Sequence, residues 1–259
     1  MKLTFLGVEN IPMVQPGDDL PTLIVQGMES MGEKLQDDDV IVIAQKVVSK
    51  AENRYLNLAD VVPSDEASKL ALEVDKDPRK VQAVLDESNE IVRTCPGVLI
   101  VEQKLGFVQA NAGIDQSNII NENGEDDDLC LLLPVDPDAS AAGIRSALGA
   151  RHNVDVGVII NDSIGRAWRV GSLGLAIGVA GFTALEDYIG QADIYGRELL
   201  VTQVGAADEM AAGASLVMGQ TDEKTPVVVV RGYKPREPAD SNLRGVTPLV
   251  RPKEMDLFR

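Results

Sequence analysis

Asn161, Asp162 and Ser163, followed closely by Gly165, Arg166, Trp168 and Arg169, bring a carboxylate, a hydroxyl and two guanidinium groups into one short stretch. An acid and a hydroxyl can hold a hard cation, and arginine forks suit phosphates and carboxylates. The stretch follows Val156–Ile160, VGVII, whose length and β-branched content predict a buried strand broken at Asn-Asp. Ligands collect outside the carboxyl ends of strands in open α/β sheets. The residues therefore read either as a metal and anion site or as a tight turn in which Asp162 and Ser163 bond only their own backbone.

Three other stretches offer partners. Asn111–Asn118, NAGIDQSN, sets Asp115 among amides, a hydroxyl and a glycine. Its oxygens suit a hard cation and its amides a base or ribose, or it is an Asx-rich turn. Gln45–Lys50, QKVVSK, places lysines after a predicted strand, with Lys50 suited to a phosphate or to plain solvent exposure. Met218–Thr225, MGQTDEKT, is a helix end and loop that can meet a phosphate or metal, or simply connect two elements. Convergence of the four on one site would explain all of them. No GxxxxGK[ST] loop is present, so the phosphates of any nucleotide need another device.

Composition narrows the field. Asp and Glu number 41 against 24 Lys and Arg, a net charge of −17, which argues against nucleic acid or an anionic membrane as partner. A carboxylate about 4 Å from a phosphate oxygen costs roughly 4 kcal/mol at an effective dielectric near 20. A polyphosphate thus needs local cations, either Mg²⁺ or Mn²⁺ or a few placed Lys and Arg. The single histidine, His152, rules out most zinc sites and reads as a surface loop residue. Cys95 and Cys130 lack metal-type spacing and read as reduced thiols. No apolar run approaches the roughly 18 residues of a membrane span, and MKLTFLGVEN lacks the pattern of a signal peptide, so the expected location is the cytoplasm.

Around these residues the periodicity predicts strands at Lys2–Val8, Val40–Ala44, Leu129–Leu133, Glu198–Gln203 and Val227–Val230. Helices are expected after a cap at Asp18 and Asp19, ending at Gly32, then from Ser64 to Glu73, over Pro78–Ile91, from Asp138 to Ala150, and over Ala206–Met218. Gly97–Glu102 and Phe107–Asn111 read as a β-hairpin. Asn121–Asp128, NENGEDDD, reads as a solvated acidic turn, since the ligand pattern of an EF-hand is absent. GSLGLAIGVAG over Gly171–Gly181 lacks the GxGxxG spacing and points to close backbone packing. The proline-containing tail from Gly232 is expected to be partly irregular. The expected fold is α/β, with mixed sheets and flanking helices, either as one unit over 1–259 or as two interwoven subdomains dividing near residue 130.

Taken together, VENIPMV, DVIVIAQKVVSKAENR, GVLIVEQKLGFVQANAGIDQSN, LLLPVDPDASA, VGVIINDSIGRAWRVGSLGLAIGVAGF, DIYGREL, ADEMAAGASLVMGQ and PVVVVRG resemble the coenzyme F420:L-glutamate ligase family, in order and over about residues 5 to 233. NAGIDxSN with D-[ST]-x-G-R and the late MGQ is the specific combination. The resemblance implies a GTP-dependent ligase. It would join L-glutamate to the terminal carboxylate of the F420 precursor, using two divalent ions, Mg²⁺ or Mn²⁺, with help from K⁺, in an intertwined homodimer.

By position, the resemblance implies Asp115, Asp162, Ser163 and Gln220 as metal ligands. The nucleotide contacts would be Asn10, Ile11, Pro12, Met13, Gln45, Lys46, Lys50 and Asn118, together with Met218, Gly219, Gln220, Thr221, Asp222, Glu223, Lys224 and Thr225. Asn10, Gln45, Lys46, Ser163 and the glycine-poor loop Thr221–Thr225 depart from the family pattern. A mechanism that fits both lines has the acceptor's carboxylate attack the γ-phosphate, and the glutamate amine then displace phosphate from the acyl phosphate. Arg166 and Arg169 are the candidates for gripping the acceptor's phosphodiester or carboxylates, or are structural ion-pair partners. The competing readings are an amide ligase with another carboxylate acceptor or with ATP, and a nucleotide- and metal-binding dimer without catalysis.

Overall fold

The computed structural model describes residues 2–119, 128–234 and 245–257. The elements run β1 (Thr4–Gly7), α1 (Leu20–Ser30), β2 (Val40–Ala44), α2 (Gln45–Ala51), β3 (Tyr55–Asn57), α3 (Asp65–Val74), α4 (Pro78–Asp86), β4 (Ser88–Cys95), β5 (Val98–Gln103) and β6 (Val108–Ala110). After these come β7 (Leu129–Leu131), α5 (Pro137–His152), β8 (Gly157–Gly165), β9 (Ser172–Ala180), β10 (Glu186–Asp187), β11 (Gln203–Val204), α6 (Ala206–Met218) and β12 (Val227–Arg231). The result is a mixed α/β fold with mixed sheets and flanking helices. No helix among the described residues is long and apolar enough to cross a membrane. Apart from Asp128, the acidic stretch Asn121–Asp128 lies outside the described residues, as does part of the tail.

A five-stranded sheet in the order β1-β12-β2-β8-β9 forms the centre, antiparallel except for the β2–β8 pair. Its middle strands are unbroken apolar runs because both faces are covered. Ile41, Ile43, Val158, Ile160, Val227 and Val229 face one way, into a core with Ile24 and Met28 of α1 and Ile144 and Leu148 of α5. Val40, Val42, Ile159, Val228 and Val230 face the other, onto Ala207, Met210, Ala211 and Ala214 of α6. A further core joins α3 and α4 to the β4-β5-β6 sheet through Leu70, Val74, Val81, Val84, Leu99 and Val101.

The close packing expected for Gly171–Gly181 is present. A Cβ on Gly174 would lie 2.1 Å from Ser215 Oγ and 2.5 Å from Ala211 O, and one on Gly178 would lie 2.4 Å from Pro137 O. β9 thus seats both α6 and the start of α5. Two carboxylates finish this outer strand: Asp208 accepts from Ala176 N (2.9 Å) and Asp138 from Val179 N (2.7 Å).

Several expectations are corrected. The helix over Pro78–Ile91 stops at Asp86, and Ile91 belongs to β4, which pairs with β5 and extends the expected hairpin to three strands. Asp18 and Asp19 do not cap α1 through their side chains. Asp18 accepts from Gln15 N, and Asp19 accepts from the Thr22 hydroxyl and pairs with Arg151. Asp136, not Asp138, caps α5, accepting from Ala139 N at 2.9 Å. His152 ends α5 instead of lying in a loop. Most of Glu198–Gln203 lies outside any strand, and only Gln203 enters β11.

Candidate active site

The central strand does not stop at Ile160. β2 ends opposite Asn161, but β8 continues to Gly165, paired only with β9 across a bulge between Ile160 and Asn161. Asn161, Asp162 and Ser163 are therefore strand residues, and the strand is not broken at Asn-Asp as expected. They still lie beyond the carboxyl end of the one parallel pair in the central sheet, the place where such sheets bind ligands. α2 starts directly at Gln45 with no intervening loop. Its turn sets Lys46 and Lys50 on one face, as residues four apart in a helix must be, while Ser49 Oγ donates to Gln45 Oε1 (2.9 Å) behind them.

The Asp115 loop closes the opposite wall. Asn111, Ala112 and Gly113 all take left-handed backbone conformations (φ 53°, 54° and 72°) and turn the chain out of β6. Ser117 N and Oγ each donate to Asp115 Oδ1 at 2.8 Å. Lys46 crosses from α2 to pair with Asp115 Oδ2 at 2.7 Å and to donate to Ser117 O and Oγ. Lys50 donates to Asn118 O (2.8 Å), and Asn118 Nδ2 to Thr221 O (3.3 Å). From the end of α6, Gln220 Oε1 accepts from Ser163 Oγ at 3.1 Å. The loop after it folds on itself through Thr221 N to Glu223 Oε2 (2.8 Å).

These pieces line one cleft of about 560 Å³. Ile11, Pro12, Met13, Gln45, Lys46, Lys50, Asp115, Asn118, Asp162, Ser163 and every residue of Met218–Thr225 border it. The four stretches singled out in the sequence do converge. Asn10 is not part of the lining; it has a left-handed backbone (φ 60°) and is tied to Ser30 Oγ. Arg166 and Arg169 are also outside, on the β8–β9 hairpin tip. Val14, Ala44, Val47, Ser117, Asn161, Ser172 and Pro226 complete the wall. Ser117 was within reach of the NAGIDQSN pattern. Ser172 enters only because β9 pairs back on β8, and no local signal marks it.

Charge in the cleft is poised. Desolvation pushes the Asp162 carboxyl up to about 6, the nearby Asp115 charge adds to this, and the Ser163 N–H and Lys46 oppose it. Burial works against the Asp115 carboxylate too, but Lys46 and Ser117 hold it below the usual range. Desolvation, then repulsion from Lys46, lowers the Lys50 ammonium.

The donor set fits a hard divalent cation. Two carboxylates, a hydroxyl and an amide oxygen are all oxygen ligands. No group of three or more His, Cys, Asp or Glu side chains able to hold a metal exists among the described residues.

Comparison with known proteins decides the family. The family model described as F420-0:Gamma-glutamyl ligase matches residues 9–232. The chain belongs to the F420-0:gamma-glutamyl ligase family. Among curated relatives, the coenzyme F420:L-glutamate ligase of Methanothermobacter thermautotrophicus is 46% identical, with 100% of both chains covered. The protein of the same name from Methanopyrus kandleri is 43% identical over 99% of each chain. That of Methanocaldococcus jannaschii is 42% identical, covering 100% of this chain and 97% of its own. The resemblance carried by NAGIDQSN, NDSIGR and MGQ is thereby borne out.

Proposed function

We propose that the protein is a GTP-dependent ligase that adds L-glutamate to the coenzyme F420 precursor, a deazaflavin carrying a phosphodiester and a terminal carboxylate. The observation that carries this is the convergence of Asp115, Asp162, Ser163 and Gln220 with Lys46 and Lys50 on one cleft, in a member of this ligase family. Asp115, Asp162, Ser163 and Gln220 would hold Mg²⁺ or Mn²⁺, with K⁺ as an accessory ion. The divalent ions supply charge neutralisation at the triphosphate. Lys50 and Lys46 hold phosphate oxygens, and Ile11, Pro12 and Met13 offer an apolar edge to the base. Asn118, linked to Thr221, ties the wall to the late loop.

In the reaction, an oxygen of the acceptor's carboxylate displaces GDP from the γ-phosphate and forms an acyl phosphate. The glutamate amine, its ammonium proton lost to solvent, then attacks the acyl carbon, and phosphate leaves with the electron pair of the acyl C–O bond. The second N–H proton passes to solvent or phosphate, and an amide remains. The protein's work is to position these groups and balance their charge.

The working unit in this proposal is a homodimer. Its support is the antiparallel ribbon that rises from β10 and β11, where Tyr188 N bonds Thr202 O, Gly190 N bonds Leu199 O and Asp193 N bonds Arg197 O. Ile194, Tyr195, Leu200 and Val201 on it are 90%, 81%, 72% and 85% exposed. A two-stranded ribbon is marginal alone, and an apolar one gains stability from a second surface.

The test is mass spectrometry of the precursor after incubation with protein, GTP, Mn²⁺ and L-glutamate. The expected product carries added glutamyl units, with one GDP released per unit. GDP release without glutamyl transfer, or transfer without GTP, would overturn the scheme.

A further inference from the structure

We propose that the tip of the β8–β9 hairpin is the recognition platform for a planar, fused-ring, anion-bearing acceptor, with Trp168 as the stacking face and Arg169 as the anion contact. This deepens the ligase reading and rests on it for the identity of the ring.

The two strands stay paired to Gly165 and Ser172, so the tip is the six residues between them. It holds the chain's one tryptophan, 86% exposed, next to Val170 at 100%. Trp168 also has a left-handed backbone (φ 64°), a conformation that bulky side chains rarely adopt. Exposed aromatic area and backbone strain both oppose stability, and the pair together points to function more than to packing. The tip is nonetheless fastened: Arg166 Nη1 donates to Gly171 O at 2.7 Å, so one of the two arginines is spent on holding the loop. Arg169 is exposed and makes no hydrogen bond or ion pair among the described residues. On a chain with a net charge of −17, the exposed guanidinium of Arg169, next to Trp168 in the sequence, is a selective anion contact.

The hairpin connects this face to the chemistry. Asp162, Ser163 and Ser172 at its base line the cleft. Trp168 is five positions beyond Ser163, and at about 3.3 Å per extended residue their Cα atoms are at most roughly 17 Å apart. A substrate whose ring and reacting carboxylate sit at opposite ends of a phosphodiester spacer fits that arrangement. A second copy of the tip fits it poorly, because two basic tips would repel each other.

Trp168 can be read directly, since its emission is the only tryptophan signal in the protein. Titrating the full-length protein with the deazaflavin precursor should quench that emission saturably. Trp168→Leu should raise the precursor KM about 10- to 100-fold, the range expected for loss of ring stacking, with the KM for GTP and for glutamate within about twofold of wild type. Trp168→Phe should recover part of the loss. A phosphodiester carboxylate lacking the ring should inhibit wild type and Trp168→Leu equally. An unchanged precursor KM in Trp168→Leu would overturn the proposal. So would a changed sedimentation coefficient with all three KM values altered, which would make the tip a contact between copies. If wild type transfers no glutamate, the ligase reading fails separately. Precursor binding to the two proteins, followed by the precursor's own emission, would then still decide the platform.

Discussion

Replacing Asp162 by Asn should make the protein more stable at neutral pH in the presence of a chelator. The carboxyl has a pKa pushed from 3.8 to about 6 by desolvation, with Asp115 adding to the effect. A raised carboxyl pKa means that the folded chain binds the proton more tightly than the unfolded chain. The group is therefore neutral in both states below 3.8, and its ionisation cost appears as pH rises towards about 6 and is complete above it. At about 1.4 kcal/mol per tenfold change in proton affinity, the cost at pH 8 is about 3 kcal/mol. Asn removes the charge but keeps a polar group to desolvate, so a gain of about 1–2 kcal/mol is expected, with about 3 as the ceiling. Urea denaturation with chelator at pH 8, 6 and 4 reads this as a midpoint difference that shrinks as the solution becomes acidic. Mg²⁺ with GTP should then stabilise wild type and leave Asp162→Asn unmoved. An Asp162→Asn protein no more stable than wild type at pH 8 would refute the poised carboxylate, and equal stabilisation of both proteins by Mg²⁺ with GTP would refute its assignment as a metal ligand.

Lys50→Ala removes a desolvated ammonium from the cleft and should weaken GTP binding by about 1.5–3 kcal/mol, the range for a charge-assisted hydrogen bond. Calorimetry should show this with the glutamate KM held near wild type. Divalent binding should depend on nucleotide, because the proposed ligand set Asp115, Asp162, Ser163 and Gln220 includes two carboxylates and leaves the rest of the shell to phosphate oxygens and water. Mn²⁺ titration followed by electron paramagnetic resonance should be weak alone and at least tenfold tighter with a nonhydrolysable GTP analogue. Gly174→Ala would put a Cβ 2.1 Å from Ser215 Oγ and 2.5 Å from Asn161 Oδ1. It should cost about 1–3 kcal/mol in thermal unfolding and raise the GTP KM as α6 is displaced from the sheet.

Much of this was visible in the chain because burial on both sides writes continuous apolar runs. VIVIA and VVVV are strands for that reason, and α6 keeps its bounds because Ala207, Met210, Ala211, Ala214 and Met218 pack in the core on one face of the sheet. β4 was hidden in a different way. Its residues alternate only between half-buried and exposed, so Ser88–Cys95 carries no strong period and follows a real helix without punctuation. Asn161-Asp162 has turn chemistry, yet pairing with β9 overrides it and carries the strand four residues past Asn161 to Gly165. Leu199, Leu200 and Val201 suggested a strand over Glu198–Gln203, but the latter two side chains are largely exposed and only Gln203 enters β11. The site's membership was legible from residue types. Its walls were not all so, since Ser172 arrives only through the pairing of β9 with β8.

The carboxylates of Asp138 and Asp208 on β9 have a consequence for the life of the protein at high concentration. They occupy backbone donors that an arriving strand would use, so they act as stoppers on the outer margin of a valine-rich sheet. At the opposite margin stands β1, only four residues long. Fibrillar growth by stacking sheet upon sheet edge is thus obstructed at one end and given little template at the other.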